Sequence, residues 1–223
     1  MKKVLVVAAH PDDEILGCGG VIAHHTKNGD EVHVVIAAEG AMSRNNGNRE
    51  YVDQLRQCAQ QAGNILGVKN TRFLGLPDNQ LDGLLLLDLV KSIEEQVAEI
   101  GPETIYTHFA GDLNIDHRLV SNALFTACRP LPGNGIKEIY LFETPSSTEW
   151  QVPDGSSAFL PTRFVDIRST LRNKLAALKA YDCEMRDWPH SRSYSAVENL
   201  AKWRGATVGL EAAEAFMVGR IIE

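Results

Sequence analysis

Short apolar runs alternate with stretches of helical period along most of the chain. Val4 to Ala9 is uninterrupted and apolar, which suits a strand buried on both faces. Asp13 to Asn28 then reads as a helix closed by Gly29, and Val32 to Ala38 as a second buried strand. The pattern continues with a helix from Arg49 to Leu66 closed by Gly67, and with a strand from Arg72 to Leu76 stopped by Pro77. Leu84 to Ile100 is predicted helical, ending at Gly101-Pro102, and Thr104 to Phe109 is predicted to be a strand. Asp116 to Cys128 is the next helix, cut off by Pro130, and Ile136 to Glu143 the next strand. Thr144 to Pro161 carries Ser, Pro and Gly without period and reads as a loop over the sheet edge. Beyond it, Phe164 to Ile167 suits a strand, and Leu171 to Tyr181 and Ser195 to Trp203 suit helices.

Alternating β and α segments predict an α/β fold, a doubly wound and mostly parallel sheet with helices on both faces, Rossmann-like. No repeat or linker divides the chain, so residues 1–223 are expected to form a single domain. Lys and Arg number 22 against 29 Asp and Glu, a formal charge of −7. That balance disfavours nucleic acid, which calls for clustered cations, and leaves small-molecule chemistry as the expectation. The four cysteines lie too far apart for a C-x-x-C metal or redox motif and read as reduced thiols. No apolar run is long enough for a membrane span. The first run stops after six residues at His10, too short for a secretory leader, which predicts a cytoplasmic protein.

Two polar clusters follow predicted strands, the position where open α/β sheets bind ligands. The first is His10-Pro11-Asp12-Asp13-Glu14, and the second runs from Thr107 to Arg118. A helix cap would account for one aspartate of the first cluster. It would leave an imidazole and two further acids crowded at a strand end, a cost that a cation offsets. His10, Asp13 and His117 make a three-ligand set with an open position, the arrangement of a mononuclear catalytic zinc. A dinucleotide site fits poorly, because glycine is absent immediately after the first strand and carboxylates there would repel phosphate.

Ala9 to Glu14, together with Gly111 to Arg118, resembles the PIG-L/LmbE family of zinc-dependent N-acetyl sugar deacetylases. Arg72 to Asp78, Pro189 to Ser193 and Ala213 to Phe216 are also similar to family segments, so the resemblance runs almost end to end. It implies one zinc, or another divalent metal, held by His10, Asp13 and His117, with Asp12 as general base. It also implies an N-acetylated amino sugar, free or conjugated, as the small-molecule substrate. Asp116 beside His117 is expected either to support a metal ligand or to polarise a neighbouring acid or electrophile. The sequence departs from many relatives at Asn114, where a histidine would stabilise the oxyanion; His108 and His190 are the candidate replacements.

Arg49, Asp78 and Arg192 are candidates for binding sugar hydroxyls or an anionic aglycone. The competing function class is a non-catalytic sugar- or nucleotide-sugar-binding protein with a vestigial metal site. Homo-oligomer assembly is left open by the sequence.

Overall fold

The computed structural model describes residues 1–40, 48–152, 154–155 and 157–223. Seven strands form one sheet in the order β3-β2-β1-β4-β5-β7-β6. Strands β1 (Lys3–Ala8), β2 (Glu31–Ala38), β3 (Asn70–Leu76), β4 (Thr104–His108) and β5 (Glu138–Phe142) run parallel. The chain builds β1 to β3 outward on one side, then crosses to lay β4 against the other side of β1. The β1/β4 boundary is therefore the topological switch point, where the loops diverge and open a crevice.

Helices α1 (Asp13–Lys27), α2 (Arg49–Leu66), α5 (Leu171–Leu178) and α6 (Tyr194–Ala206) bury Ile22, Leu66, Leu178 and Val197 with Tyr106 on one sheet face. On the opposite face, α3 (Leu86–Ile100) and α4 (Ile115–Ala127) bury Ile93 and Leu124 against Leu5, Val7 and Ile105. Val4, Leu5, Val6, Val7 and Ala8 are all buried, as the unbroken apolar run requires of a central parallel strand. The doubly wound fold expected from the sequence is the one observed.

The largest departure is strand β7 (Ala213–Ile221), which the apolar pattern did not announce. It inserts antiparallel between β5 and β6 (Arg163–Asp166). Its second residue is the buried Glu214, whose carboxylate takes the Gly20 and Val21 backbone N–H groups at 2.9 and 2.7 Å and the Lys174 ammonium at 2.6 Å. Those N–H groups are free because α1 breaks at Cys18 (φ −145°, ψ 24°), so a carboxylate from β7 caps the helix restart. At the break Gly17 lies so close to Phe142 of β5 that a Cβ would sit 2.2 Å from the ring.

Smaller differences arise at helix ends. Leu84 and Leu85 are extended, so the expected Leu84–Ile100 helix begins at Leu86, after a separate 3₁₀ turn at Leu81–Gly83. The helix expected to end at Tyr181 stops at Leu178 and continues as a 3₁₀ segment, Lys179–Glu184. Among the described residues of the Thr144–Pro161 loop, the one regular element is a 3₁₀ turn, Thr148–Trp150.

Candidate active site

The first site residues leave β1 directly. Its last hydrogen bonds carry the chain to Ala9, whose N–H donates to Nε2 of His108 at the end of β4, 2.9 Å away. His10, Asp12 and Asp13 then turn into α1. Asp12 occupies the N-cap position but makes no side-chain capping bond, and its φ of 102° is rare for a residue with a side chain. That conformation, held by the packed β1–α1 junction, is the kind of local strain that positions a functional group. A cap alone therefore does not account for the cluster.

His117 enters from the first turn of α4, on the far side of the switch point. His10 Nδ1, Asp13 Oδ2 and His117 Nε2 converge, with His10–Asp13 at 3.3 Å, His117–Asp13 at 3.2 Å and His10–His117 at 3.3 Å. Zinc bonds of about 2.0–2.1 Å in a tetrahedron set neighbouring donors roughly 3.4 Å apart, so the three atoms already stand at metal-ligand spacing. Among the described residues they form one of two groups of donors suited to a metal ion.

Each imidazole is oriented by a carboxylate behind it. His10 Nε2 lies 3.0 Å from Oδ2 of Asp116, which is fully buried and also accepts the N–H groups of Asn79 (2.8 Å) and Leu81 (3.1 Å). Those donors require an acceptor, so His10 keeps its proton on Nε2 and leaves the Nδ1 lone pair for a cation. His117 Nδ1 lies 3.1 Å from Asp112 Oδ1, and the same carboxylate accepts the Ser147 hydroxyl, Thr148 Oγ1 at 2.5 Å and the Asn114 N–H at 2.9 Å. The Nε2 lone pair of His117 is thereby freed toward Asp13. Asp116 accordingly stands behind His10 as an orienting acid.

The electrostatics suit a cation. Burial alone would lower the pKa of His10, but its hydrogen bonds to Asp116 and Asp13 raise it to about 10. For His117 burial is likewise outweighed, here by Asp13 and Asp112, and its pKa rises to about 9. Against burial, His117, His108 and His10 hold the Asp13 carboxyl well below its usual range. The protein thus gathers positive charge at the point where a divalent ion would supply it. Asp12 behaves oppositely: burial and the Asp13 charge push it well above the ordinary carboxylate range, with Arg192 pulling it back.

A cavity of about 180 Å³ opens over these groups, lined by Asp12, Asp78, Asn79, Asn114, Glu184 and Arg192 among others. At about 30 Å³ per water it holds some six waters, enough for an acetamido group and part of one sugar ring. Arg192 Nη1 reaches Asp12 Oδ2 at 3.2 Å and Glu184 Oε2 at 3.7 Å. Asp78 is buried, with Oδ1 at 3.5 Å from His10 Nε2 and 3.0 Å from Asn79 Nδ2.

Asn114 caps α4 by accepting the Asp116 N–H at 2.8 Å, and its Nδ2 donates to Asn79 Oδ1 at 3.2 Å on the cavity wall. His108 is fully buried behind the site, stacked on His117 with ring centroids 3.9 Å apart, and burial lowers its pKa to about 4. His190 is not among the lining residues; its Nδ1 accepts the Arg192 N–H at 3.0 Å and its ring meets Trp150 edge-on. Arg49 is 68% exposed and pairs with Glu39 at 3.2 Å, also outside the lining. Sequence reasoning passed over Asp112 and Glu184. Asp112 carried a signal, since it stands five residues before a metal-type histidine inside the second cluster; Glu184 reaches the cavity from a 3₁₀ segment that nothing local marks.

The chain resembles known proteins. The uncharacterized deacetylase YaiS of Escherichia coli (strain K12) is 30% identical over 186 residues, covering 81% of this chain and 90% of that protein. The N,N'-diacetylchitobiose deacetylase of Pyrococcus horikoshii superimposes with a TM-score of 0.80 at 20% identity, over 98% of this chain and 84% of that one. GalB, a 4-carboxy-2-hydroxymuconate hydratase of Pseudomonas putida, does so with a TM-score of 0.78 at 23% identity, over 100% and 99%. At those identities the two structures speak to the fold. Residues 5–128, which hold both polar clusters and every proposed ligand, match the family described as PIG-L, GlcNAc-PI de-N-acetylase, and the chain belongs to that family.

Proposed function

We propose that this protein is a zinc-dependent hydrolase that removes the N-acetyl group from an N-acetylated amino sugar or its conjugate. The observation that carries the reading is the convergence of His10 Nδ1, Asp13 Oδ2 and His117 Nε2 at ligand spacing, each imidazole backed by its own buried carboxylate. The family description supports the same substrate chemistry, and the relative named as a deacetylase supports the reaction type. When bound, zinc would supply Lewis acidity toward the acetamido carbonyl and toward a water molecule.

The protein's own residues do the rest. Asp12 shares Oδ2 with Arg192, and among the described residues its Oδ1 enters no hydrogen bond, so Oδ1 is the atom assigned to take the proton of the attacking water. A carboxylate whose pKa burial raises takes up a proton more readily than an ordinary one and stands closer in basicity to an amine, which suits it to collect the water proton and carry it to the leaving sugar nitrogen. Arg192 holds Asp12 in place from the opposite wall. Asn114 Nδ2 is the wall donor nearest in kind to the histidine of relatives, and it can hydrogen-bond a developing oxyanion without supplying charge.

A non-catalytic binder would have no use for a strained, buried aspartate beside a complete ligand set. The test is acetate release by metal-loaded protein across free, lipid-linked and nucleotide-linked N-acetyl sugars. Asp12→Asn is expected to keep its metal and lose about 10²-fold or more in kcat. Absence of acetate from every substrate class would sink the hydrolase reading. A metal-free Asp12→Asn with native folding would make Asp12 a ligand instead.

A further inference from the structure

The cavity accommodates an acetamido group and part of one sugar ring, and among the described residues its lining contains no Phe, Tyr or Trp. The rest of a conjugated substrate must lie across the mouth, where two loops meet. One runs from Thr144 to Trp150 and lines the cavity with Ser146 and Ser147; the other carries His190 and Arg192. Trp150 is 52% exposed, and its ring stands edge-on to His190 at 5.6 Å, bridging the two loops.

Trp150 is also fixed to the reaction centre. Its N–H donates to the carbonyl of the cavity residue Ser147 at 3.2 Å. The turn that bears it is clamped below by Ser147 and Thr148, which both hydrogen-bond Asp112, the acid that orients His117. A second clamp runs from the Thr144 N–H to Thr148 Oγ1 at 2.8 Å. The clamped turn thus presents a half-exposed Trp150 three positions along the chain from Ser147 of the cavity wall.

We propose that Trp150 is the platform for a second pyranose ring, the sugar glycosidically linked to the N-acetylated one, and so determines a preference for oligosaccharide over monosaccharide substrates. This rests on the amino-sugar reading above. A pyranose has one face of C–H groups and a rim of hydroxyls, which matches an indole whose face is apolar and whose surroundings are polar. The acidic interior, with Asp12, Asp13, Asp78 and Glu184 at its walls, disfavours an anionic occupant.

Binding is best measured in metal-loaded Asp12→Asn, which separates recognition from turnover. Calorimetric titration with N,N'-diacetylchitobiose and with the methyl glycoside of N-acetylglucosamine is expected to show tighter disaccharide binding. Adding Trp150→Ala should weaken the disaccharide about tenfold while the methyl glycoside changes less than about twofold. Trp150→Phe should restore most of the loss. Trp203, 65% exposed on α6 and not among the lining residues, provides the control, and Trp203→Ala should change neither ligand. Equal affinity for the two ligands, or equal weakening of both by Trp150→Ala, overturns the platform. Acetate release by the wild-type protein is scored separately, so differential binding without acetate would keep the platform and remove the hydrolase.

Discussion

Replacing Asp116 by asparagine tests the claim that this acid orients a metal ligand and takes no part in proton transfer. The carboxylate receives three donors: His10 Nε2 and the Asn79 N–H on Oδ2, and the Leu81 N–H on Oδ1. An amide can satisfy only one side. With its oxygen toward His10 and Asn79, its NH2 group faces the Leu81 N–H, leaving one buried donor unpaired at a cost of about 1–3 kcal/mol. At about 2–4 °C per kcal/mol for a chain of this size, the metal-free variant should melt about 2–12 °C lower. The remaining bond to His10 becomes neutral, which weakens it by about half and makes Nδ1 a poorer donor. Loss of such a supporting carboxylate costs about 10–100-fold in metal affinity, or about 1.4–2.7 kcal/mol. Competition with a chromogenic chelator measures the dissociation constant, and calorimetry the melting temperature. At saturating metal, kcat should stay within about tenfold of wild type. Unchanged metal affinity together with a collapse of kcat would refute the orienting role and make Asp116 a proton carrier.

Metal binding should be proton-coupled. With His10 raised to about 10 and His117 to about 9, both imidazoles carry a proton at pH 7 in the metal-free protein and must lose it to coordinate. Apparent affinity should therefore climb with pH until about 9–10, and titrations at pH 7 in two buffers of different ionisation enthalpy should report more than one proton released; a value near zero would contradict the assignment. The same shifts stabilise the metal-free fold fully below pH 6.5, the unfolded value, and that stabilisation is lost as pH rises through about 9–10. Lys174→Met leaves the Glu214 carboxylate buried with only the α1 N–H groups, and should cost about 3–5 kcal/mol in urea unfolding, partly recovered by adding Glu214→Gln; a loss below about 1 kcal/mol would mean that the pair does not hold the α1 break.

Much of this protein could be read from local pattern. The run Val4 to Ala9, buried on both faces, could only be a central strand, and the helix stops at Gly67 and Gly101 are glycines in the left-handed conformation, as a C-terminal cap demands. His10, Asp13 and His117 were legible because donors of one chemical kind followed two strands directly, and the fold class dictates that strand ends face one crevice. What tertiary structure alone decided is which acid serves which imidazole. Asp116 is adjacent to His117 in sequence yet supports His10, because successive residues in the first turn of α4 project in different directions, Asp116 onto His10 Nε2 and His117 between Asp13 and Asp112. Asp112 serves His117 instead, and Ser147 and Thr148 of a loop distant in sequence donate to the same carboxylate. Strand β7 was hidden for a related reason. Its second residue, Glu214, reads as solvent-facing until Lys174 and the broken first helix, both remote in sequence, surround the carboxylate and make its burial favourable. Patterns of one residue type report burial and secondary structure; the pairing of polar groups depends on long-range approach, which only the folded chain specifies.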